Sequence, residues 1–327
     1  MVFALKTSVI IATYNGELYI KKQLESIKNQ ILKPDEVIIR DDCSTDNTVD
    51  IIKRFISDNK LSNWKLIINE ENKGWKENFY YLMKYSLGDV IFYCDQDDVW
   101  KENRIKRTMD VFSKSDGVKC VMCSYDSIDG DGNLIVRGEC DGRFAKITSR
   151  SRKYYNLMGC LMAYKKDLNK EIFSIVDSSN IRYFSPDQLL ARISVFFDGF
   201  YEMNETLIEH RFHNRNVTNR ADRARCLSGS CNLGERIDLL REQNEIMKRI
   251  MCVYDGKHFR KELDDANEMF VFTKHRIELL SKRTLNSFFK LIKHIKSNNK
   301  IVIIADVMYA MGVQTLAGKI FVGLKRW

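Results

Sequence analysis

Three carboxylates fall within four residues at Asp95-Gln96-Asp97-Asp98, where the apolar run Val90-Ile91-Phe92-Tyr93-Cys94 stops and Val99-Trp100 begins. Like charges held that close repel, and a cation is the simplest partner that stabilises them together. Hard oxygen donors point to Mg²⁺ or Mn²⁺ rather than zinc. Such a cation would carry a diphosphate, because Mg²⁺ is typically held by one or two carboxylates plus phosphate oxygens. The competing reading is a solvated acidic turn that caps a helix starting near Lys101.

The elements around this cluster repeat one pattern. Ser8-Val-Ile-Ile-Ala12 is an apolar run ended by Thr13-Tyr14-Asn15-Gly16, and Glu17 to Gln30 follows with Leu18, Leu24 and Ile27 at roughly helical spacing. Glu36 to Arg40 reads as a buried strand, Asp41-Asp42-Cys43-Ser44-Thr45 as a polar loop, and Asp46-Asn47-Thr48 as the start of a second helix. Trp64 to Ile68 is a third strand, Lys76 to Tyr85 a third helix, and Val90 to Cys94 a fourth strand. Strands apolar on both faces and alternating with helices imply a parallel sheet covered on both sides. In such sheets ligands bind at the carboxyl ends of the strands, so the polar loops at Thr13–Gly16, Asp41–Thr45 and Asp95–Asp98 should converge on one crevice. Further on come a helix over Lys101–Phe112, a strand near Val118–Tyr125 and an Asp129-Gly-Asp-Gly132 turn before Leu134–Val136, which suggests a hairpin.

A chain of 327 residues, 44% apolar, can bury a large core and is globular. Nine scattered cysteines and no signal-peptide pattern fit a reducing cytosol. Cys120-Val-Met-Cys123 lacks a second pair at zinc spacing and reads as buried strand cysteines. The net charge of +9 is largely C-terminal: from Lys274 to Lys300 there are eight Lys or Arg against one acid, Glu278.

Four ordered motifs carry a resemblance: Val9-Ile-Ile-Ala-Thr-Tyr-Asn15, Ile39-Arg-Asp-Asp-Cys-Ser-Thr-Asp46, Asn72-Lys-Gly74 and Asp95-Gln-Asp-Asp-Val-Trp100. Together they resemble family 2 glycosyltransferases, most of all bacterial rhamnosyltransferases of surface-polysaccharide synthesis, over roughly residues 5 to 217. The resemblance implies an α/β, Rossmann-like GT-A nucleotide-diphospho-sugar transferase fold with a helical C-terminal appendage. The expected domains are a catalytic domain over 1–220, with a donor-binding half to about residue 100 and an acceptor-binding half after it, and a helical region over 221–327 serving membrane association or oligomerisation.

It also implies an inverting, metal-dependent transfer of L-rhamnose or a hexose. The donor would be a dTDP- or UDP-sugar, and the acceptor a hydroxyl of a growing, lipid-linked polysaccharide on the cytoplasmic side of the membrane. By that resemblance Tyr14 packs on the nucleotide base and Asp42 hydrogen-bonds it, while Asp41 is equally a turn or cap acid. Asp95 lies near the ribose, and Asp97 ligates an Mn²⁺ or Mg²⁺ ion, with Asp95 and His213 as further metal ligands. Thr13, Asn15, Gly74, Asn78, Gln96 and Gly159, the small residue beneath the sugar, complete the donor set, and Arg211 is an anion partner. Phe184-Ser-Pro-Asp187 fits the place of the catalytic base, although the usual acidic pair is missing and Ser185 or Asp187 could simply cap a helix. In Glu209-His210-Arg211-Phe212-His213-Asn214, strand alternation puts the two histidines on opposite faces, so they should not act together.

Beyond residue 217 the pattern changes to long charged helices, Glu235–Val253, Phe259–Lys282 and Asn286–Lys296, the last basic and amphipathic. Ile301 to Gly323 is apolar but broken by charges and glycines, short of the ~20 uncharged residues that a spanning helix needs. Peripheral attachment to an anionic leaflet and packing into a helical bundle or homo-oligomer are the two readings of this region. Two alternatives for the whole chain are weaker. A nucleotidyltransferase would show a Gly-rich basic loop after its first strand, and Thr13-Tyr-Asn-Gly-Glu17 is not one. A nucleic-acid-binding protein would fit the charge but has no matching motif.

Overall fold

The computed structural model describes residues 5–148, 157–177, 185–214, 216, 233–253, 260–294 and 300–312. It divides into two compact units, Met1–Ser174 with Ser185–His213, and Ile175–Phe184 with Asn214–Trp327. The boundary expected near residue 220 and the apolar stretch after residue 312 lie outside the described residues.

The first unit is built on a sheet that has ten strands among the described residues. β1 (Thr7–Thr13), β2 (Glu36–Asp41), β3 (Trp64–Ile68) and β4 (Val90–Cys94) run parallel in the order β3-β2-β1-β4. Val9, Ile10, Ile11, Val37, Ile39 and Val90 to Phe92 are all fully enclosed. Burial on both faces is why these strands read as unbroken apolar runs rather than as alternation. The helices α1 (Ile20–Lys28), α2 (Thr48–Asp58) and α3 (Trp75–Tyr85) make the crossovers.

Because β2 and β3 lie on one side of β1 and β4 on the other, the strand order reverses between β1 and β4. That is the topological switch point where an open α/β sheet leaves a crevice. The loops carrying Tyr14 and the Asp95–Asp98 cluster leave these two strands at their carboxyl ends.

The other half of the sheet is mixed. β5 (Val99–Trp100) pairs antiparallel with β10 (Phe200–Arg211), which runs parallel to β6 (Cys120–Ile128). β7 (Leu134–Val136) pairs back on β6 across the Asp129–Gly132 turn, as the Asp-Gly sequence implied, and β8 (Phe144–Lys146) pairs with β10. β9 (Met162–Lys165) lies between β4 and β6, antiparallel to both. α4 (Arg104–Lys114), α5 (Asn169–Val176) and α6 (Pro186–Phe196) complete the helices before β10. Cys120 and Cys123 are buried strand cysteines, as expected.

The second unit holds α7 (Leu233–Val253), α8 (Arg260–Lys282), α9 (Leu285–Ile292) and α10 (Lys300–Ala310). Phe272, Leu279, Leu291 and Ile303 form one buried cluster, and Leu240, Leu280 and Tyr309 another. Asp306 is fully buried and is held by Arg236 Nε at 2.9 Å and Arg276 Nε at 2.5 Å. Among the described residues no helix is long and apolar enough to cross a membrane.

Candidate active site

Hydrogen bonds between residues far apart in sequence tie the loops at the switch point together. Thr13 Oγ1 donates to Asp41 Oδ2 at 2.8 Å, and Ser44 donates to both Asp41 oxygens through its amide and hydroxyl. The Asn15 amide donates to Ser44 Oγ, and Asn15 Oδ1 accepts from the Thr45 amide. Asp41 therefore staples the first two loops to each other, with both oxygens engaged inside the protein.

Asp42 does the same for the next pair of loops. Its carboxylate accepts from Asn69 Nδ2 at 2.9 Å, the Lys73 amide at 2.8 Å and the Gly74 amide at 2.9 Å. Burial raises its pKa, but hydrogen bonds from Asn78, Lys73, Asn69 and Gly74 outweigh burial and hold it below the ordinary carboxylate value. Asn78 is buried in this network and donates to the Gly74 carbonyl. Gly74 has φ 84° and a Cβ there would meet nothing within 4 Å, so backbone conformation, not crowding, calls for glycine.

The Tyr14 backbone is clamped by the Gln96 side chain: its amide donates to Gln96 Oε1 at 2.9 Å and its carbonyl accepts from Gln96 Nε2 at 3.0 Å. The Tyr14 ring is 46% exposed and available for stacking.

The acidic cluster proves to be the most connected part of the site. Asp97 Oδ2 lies 2.8 Å from His213 Nε2, and Asp98 Oδ1 lies 2.7 Å from His210 Nδ1. Both histidines thus engage the cluster, contrary to the expectation from strand alternation. β10 ends at Arg211, so the period-two rule no longer governs His213. The His213 ring also stacks on Tyr19, with centroids 4.7 Å apart.

Arg211, expected to meet an anion, is buried and donates to three backbone carbonyls, those of Asp97, Asp129 and Gly130. It fastens the cluster to the Asp129–Gly132 turn. Arg104, also buried, donates to the Cys160 carbonyl at 2.6 Å with its guanidinium over the Trp100 ring.

Asp95, Asp97 and His213 are not gathered into one tight group. Among the described residues, Asp98, Cys160 and His210 bring their heteroatoms within 4.8 Å of one another. Burial, with Asp98 and then Asp97 beside it, raises the Asp95 carboxyl from 3.8 to about 8, while the Cys160 thiol bonds to it. With its pKa raised to about 8, Asp95 is largely protonated near neutral pH, and ionising it beside Asp97 and Asp98 calls for added positive charge. A divalent cation would supply that charge.

Asp187 stands in the first turn of α6, with Pro186 at the helix start. Its Oδ1 accepts from the Ser185 hydroxyl and from the Gln188 amide. A short 3₁₀ turn, Gly159–Leu161, joins this carboxylate to the acidic cluster. A Cβ added to Gly159 would lie 3.1 Å from Asp187 Cβ and 3.5 Å from its Oδ2, and the next residue is the Cys160 that bonds to Asp95. Sequence reasoning counted Asp98 only as one of three clustered carboxylates and placed no role on Cys160, His210, Tyr19 or Arg104. The third acid of the cluster and the first histidine of its motif were the available signals for two of them.

An open α/β sheet with carboxylates at the carboxyl ends of its strands beside the switch point is the architecture of a ligand-binding α/β protein. The sequence profile of the family described as Glycosyl transferase family 2 matches residues 8–173, and the chain belongs to that family. An uncharacterized glycosyltransferase of Nostoc sp. is 29% identical over 220 residues, covering 65% of this chain and 66% of its own. The dTDP-rhamnosyl transferase RfbG of Shigella flexneri is 37% identical over 142 residues, 41% of this chain and 47% of its own. The matched stretch thus spans between about half and two thirds of these two relatives. The crystal structure of S. aureus TarS 1-349 in complex with UDP-GlcNAc covers 98% of this chain and 92% of its own, with a TM-score of 0.64 at 16% identity. The fold is accordingly of GT-A type with a helical C-terminal region.

Proposed function

We propose that this protein transfers a sugar, with inversion, from a dTDP- or UDP-sugar to a hydroxyl of a growing, lipid-linked surface polysaccharide. The observation that carries this reading is the Gly159–Cys160 turn. A Cβ at Gly159 would lie 3.1 Å from Asp187 Cβ and the Cys160 thiol bonds to Asp95, which supports reading Asp187 and the acidic cluster as parts of one site.

Asp95, Asp97 and His213 would hold an Mn²⁺ or Mg²⁺ ion, which when bound stabilises the negative charge of the departing diphosphate. The protein's own groups do the rest. Tyr14 offers its exposed ring to the base, with its backbone fixed by Gln96. Gly159, lacking a side chain, lets the sugar approach Asp187. The acceptor hydroxyl attacks the anomeric carbon while Asp187 Oδ2 takes its proton, since Oδ1 is already engaged by Ser185 and Gln188. As the new C–O bond forms, the bond to the phosphate oxygen breaks. The nucleoside diphosphate leaves with the electron pair, and one in-line displacement inverts the centre. The names of the relatives support a pyrimidine nucleotide: RfbG is a dTDP-rhamnosyl transferase and TarS was crystallised with UDP-GlcNAc.

Calorimetric titration of UDP and dTDP, each with Mn²⁺ and with chelator, tests the donor site in the wild type and Asp97→Ala. Binding that needs metal and vanishes in Asp97→Ala is expected. No binding of either nucleotide under any condition would overturn the reading.

A further inference from the structure

Two of the large apolar side chains that the second unit leaves exposed lie on α9. Leu285 is 77% exposed and Phe289, one helical turn further along α9, is 61% exposed. The helix cannot roll to cover them. Its opposite face is locked, with Leu291 and Ser287 buried and Phe288 and Ile292 packed against Phe272, Leu279 and Ile303. Its start is pinned by a capping box in which Thr284 and Ser287 satisfy each other's backbone amides.

Basic residues flank the pair in sequence. Lys282, Arg283 and Lys293 are exposed, and Lys290 is half-exposed. Glu278, the nearest acid in sequence, is already engaged by Lys290 at 2.9 Å and Lys282 at 3.3 Å, and no acidic residue occurs between Glu278 and Asp306.

We propose that this face of α9 docks on an anionic phospholipid bilayer, with Leu285 and Phe289 entering the headgroup boundary and the lysines and arginine meeting lipid phosphates. Two exposed apolar side chains flanked in sequence by cations match the composition of an interfacial helix. Each cation near an anionic leaflet raises the partition coefficient by roughly fivefold. A second copy of the chain is a poorer occupant, because a two-fold contact would set the same cations against each other. The proposal does not depend on the donor site, since a chain with no transferase activity would still bind through this face.

Flotation of the full chain with phosphatidylcholine vesicles, alone and with phosphatidylglycerol added, tests it. The wild type should float only with the anionic vesicles, less so in high salt. Leu285→Ser/Phe289→Ser should lower the partition at least about tenfold and Lys293→Glu should lower it roughly fivefold or more. All three residues are exposed, so unchanged melting curves should accompany these losses. A wild type that ignores anionic vesicles, or a double variant that floats as well, would overturn the proposal. So would a concentration-dependent dimer or salt-sensitive nucleic-acid binding that the double variant abolishes in the absence of flotation.

Discussion

Replacing His210 with Gln should remove a pH-dependent share of the first unit's stability. His210 is buried, with Nδ1 2.7 Å from Asp98 Oδ1. Burial lowers the pKa of its imidazole, but the charges of Asp98, Asp95 and Asp97 and the bond to Asp98 more than reverse this, raising it from 6.5 to about 9. In the unfolded chain the ring titrates near 6.5. Below that pH both states hold the proton, and the contribution of the pair is fully present. Between 6.5 and 9 only the folded state holds it, so stability falls as pH rises, and above 9 the contribution is gone. The interval corresponds to about 3 kcal/mol. Among the described residues the buried Asp98 Oδ2 has no hydrogen-bond partner, a cost common to wild type and variant that leaves the pH-dependent difference unchanged. Gln retains an amide donor for Asp98 but no charge. Melting of wild type and His210→Gln in chelator, at about pH 6 and about pH 9.5, should show a gap that is wide at the lower pH and narrow at the higher. Each kcal/mol is worth about 2–4 °C in a unit of this size. A gap of equal width at both pH values would refute a charged His210–Asp98 pair.

The other expectations separate chemistry, positioning and packing. Asp187→Asn should lower kcat about 10²–10⁴-fold and leave metal-dependent nucleotide binding intact by calorimetry; unaltered turnover would remove Asp187 from the proton-transfer role. Gly159→Val puts its Cβ 3.1 Å from Asp187 Cβ and should displace that carboxylate, lowering kcat about 100-fold while chromatographic behaviour and thermal melting stay near wild type. Asp306→Ala leaves buried Arg236 and partly buried Arg276 without their shared carboxylate and should cost about 3–5 kcal/mol in urea unfolding. Adding Arg236→Met and Arg276→Met to that variant should restore most of the loss, and a failure to do so would place the cost elsewhere.

Legibility in the sequence followed the range of the interactions. The four parallel strands could be read because each is buried on both faces and its whole run is apolar, as in Val90 to Cys94. The turn at Asp129–Gly132 could be read because turn chemistry is local. The mixed half of the sheet was less legible. β5 is two residues long, and β9 owes its place to pairing with β4 and β6 rather than to its own pattern. α9 stops at Ile292 rather than continuing to Lys296, closed by a turn in which the His294 amide donates to the Leu291 carbonyl. Arg104 and Arg211 were the least visible, since a basic residue in a helix or at a strand end gives no sign that it will be buried. The bonds between the acidic cluster and the two histidines join residues more than a hundred positions apart, which no local spacing reveals.

What distinguishes the working acids from the supporting ones is where their oxygens point. Asp41 and Asp42 look equivalent to Asp95 and Asp97 in sequence, each pair following a buried strand. Yet Asp41 has both oxygens bound by Thr13 and Ser44, and Asp42 accepts from three groups on the neighbouring loops. A carboxylate satisfied by its own protein rigidifies loops and has little left for a ligand. Asp97 and Asp187 each show protein partners on only one oxygen among the described residues. Asp95 is crowded by Asp98 and Asp97, and the His210 charge offsets only part of what burial and those acids do to it. The supporting acids hold the rim of the crevice in one conformation before any ligand arrives. On the proposed reading, the acids left short of partners would supply the affinity for a cation and the capacity for a proton that sugar transfer requires.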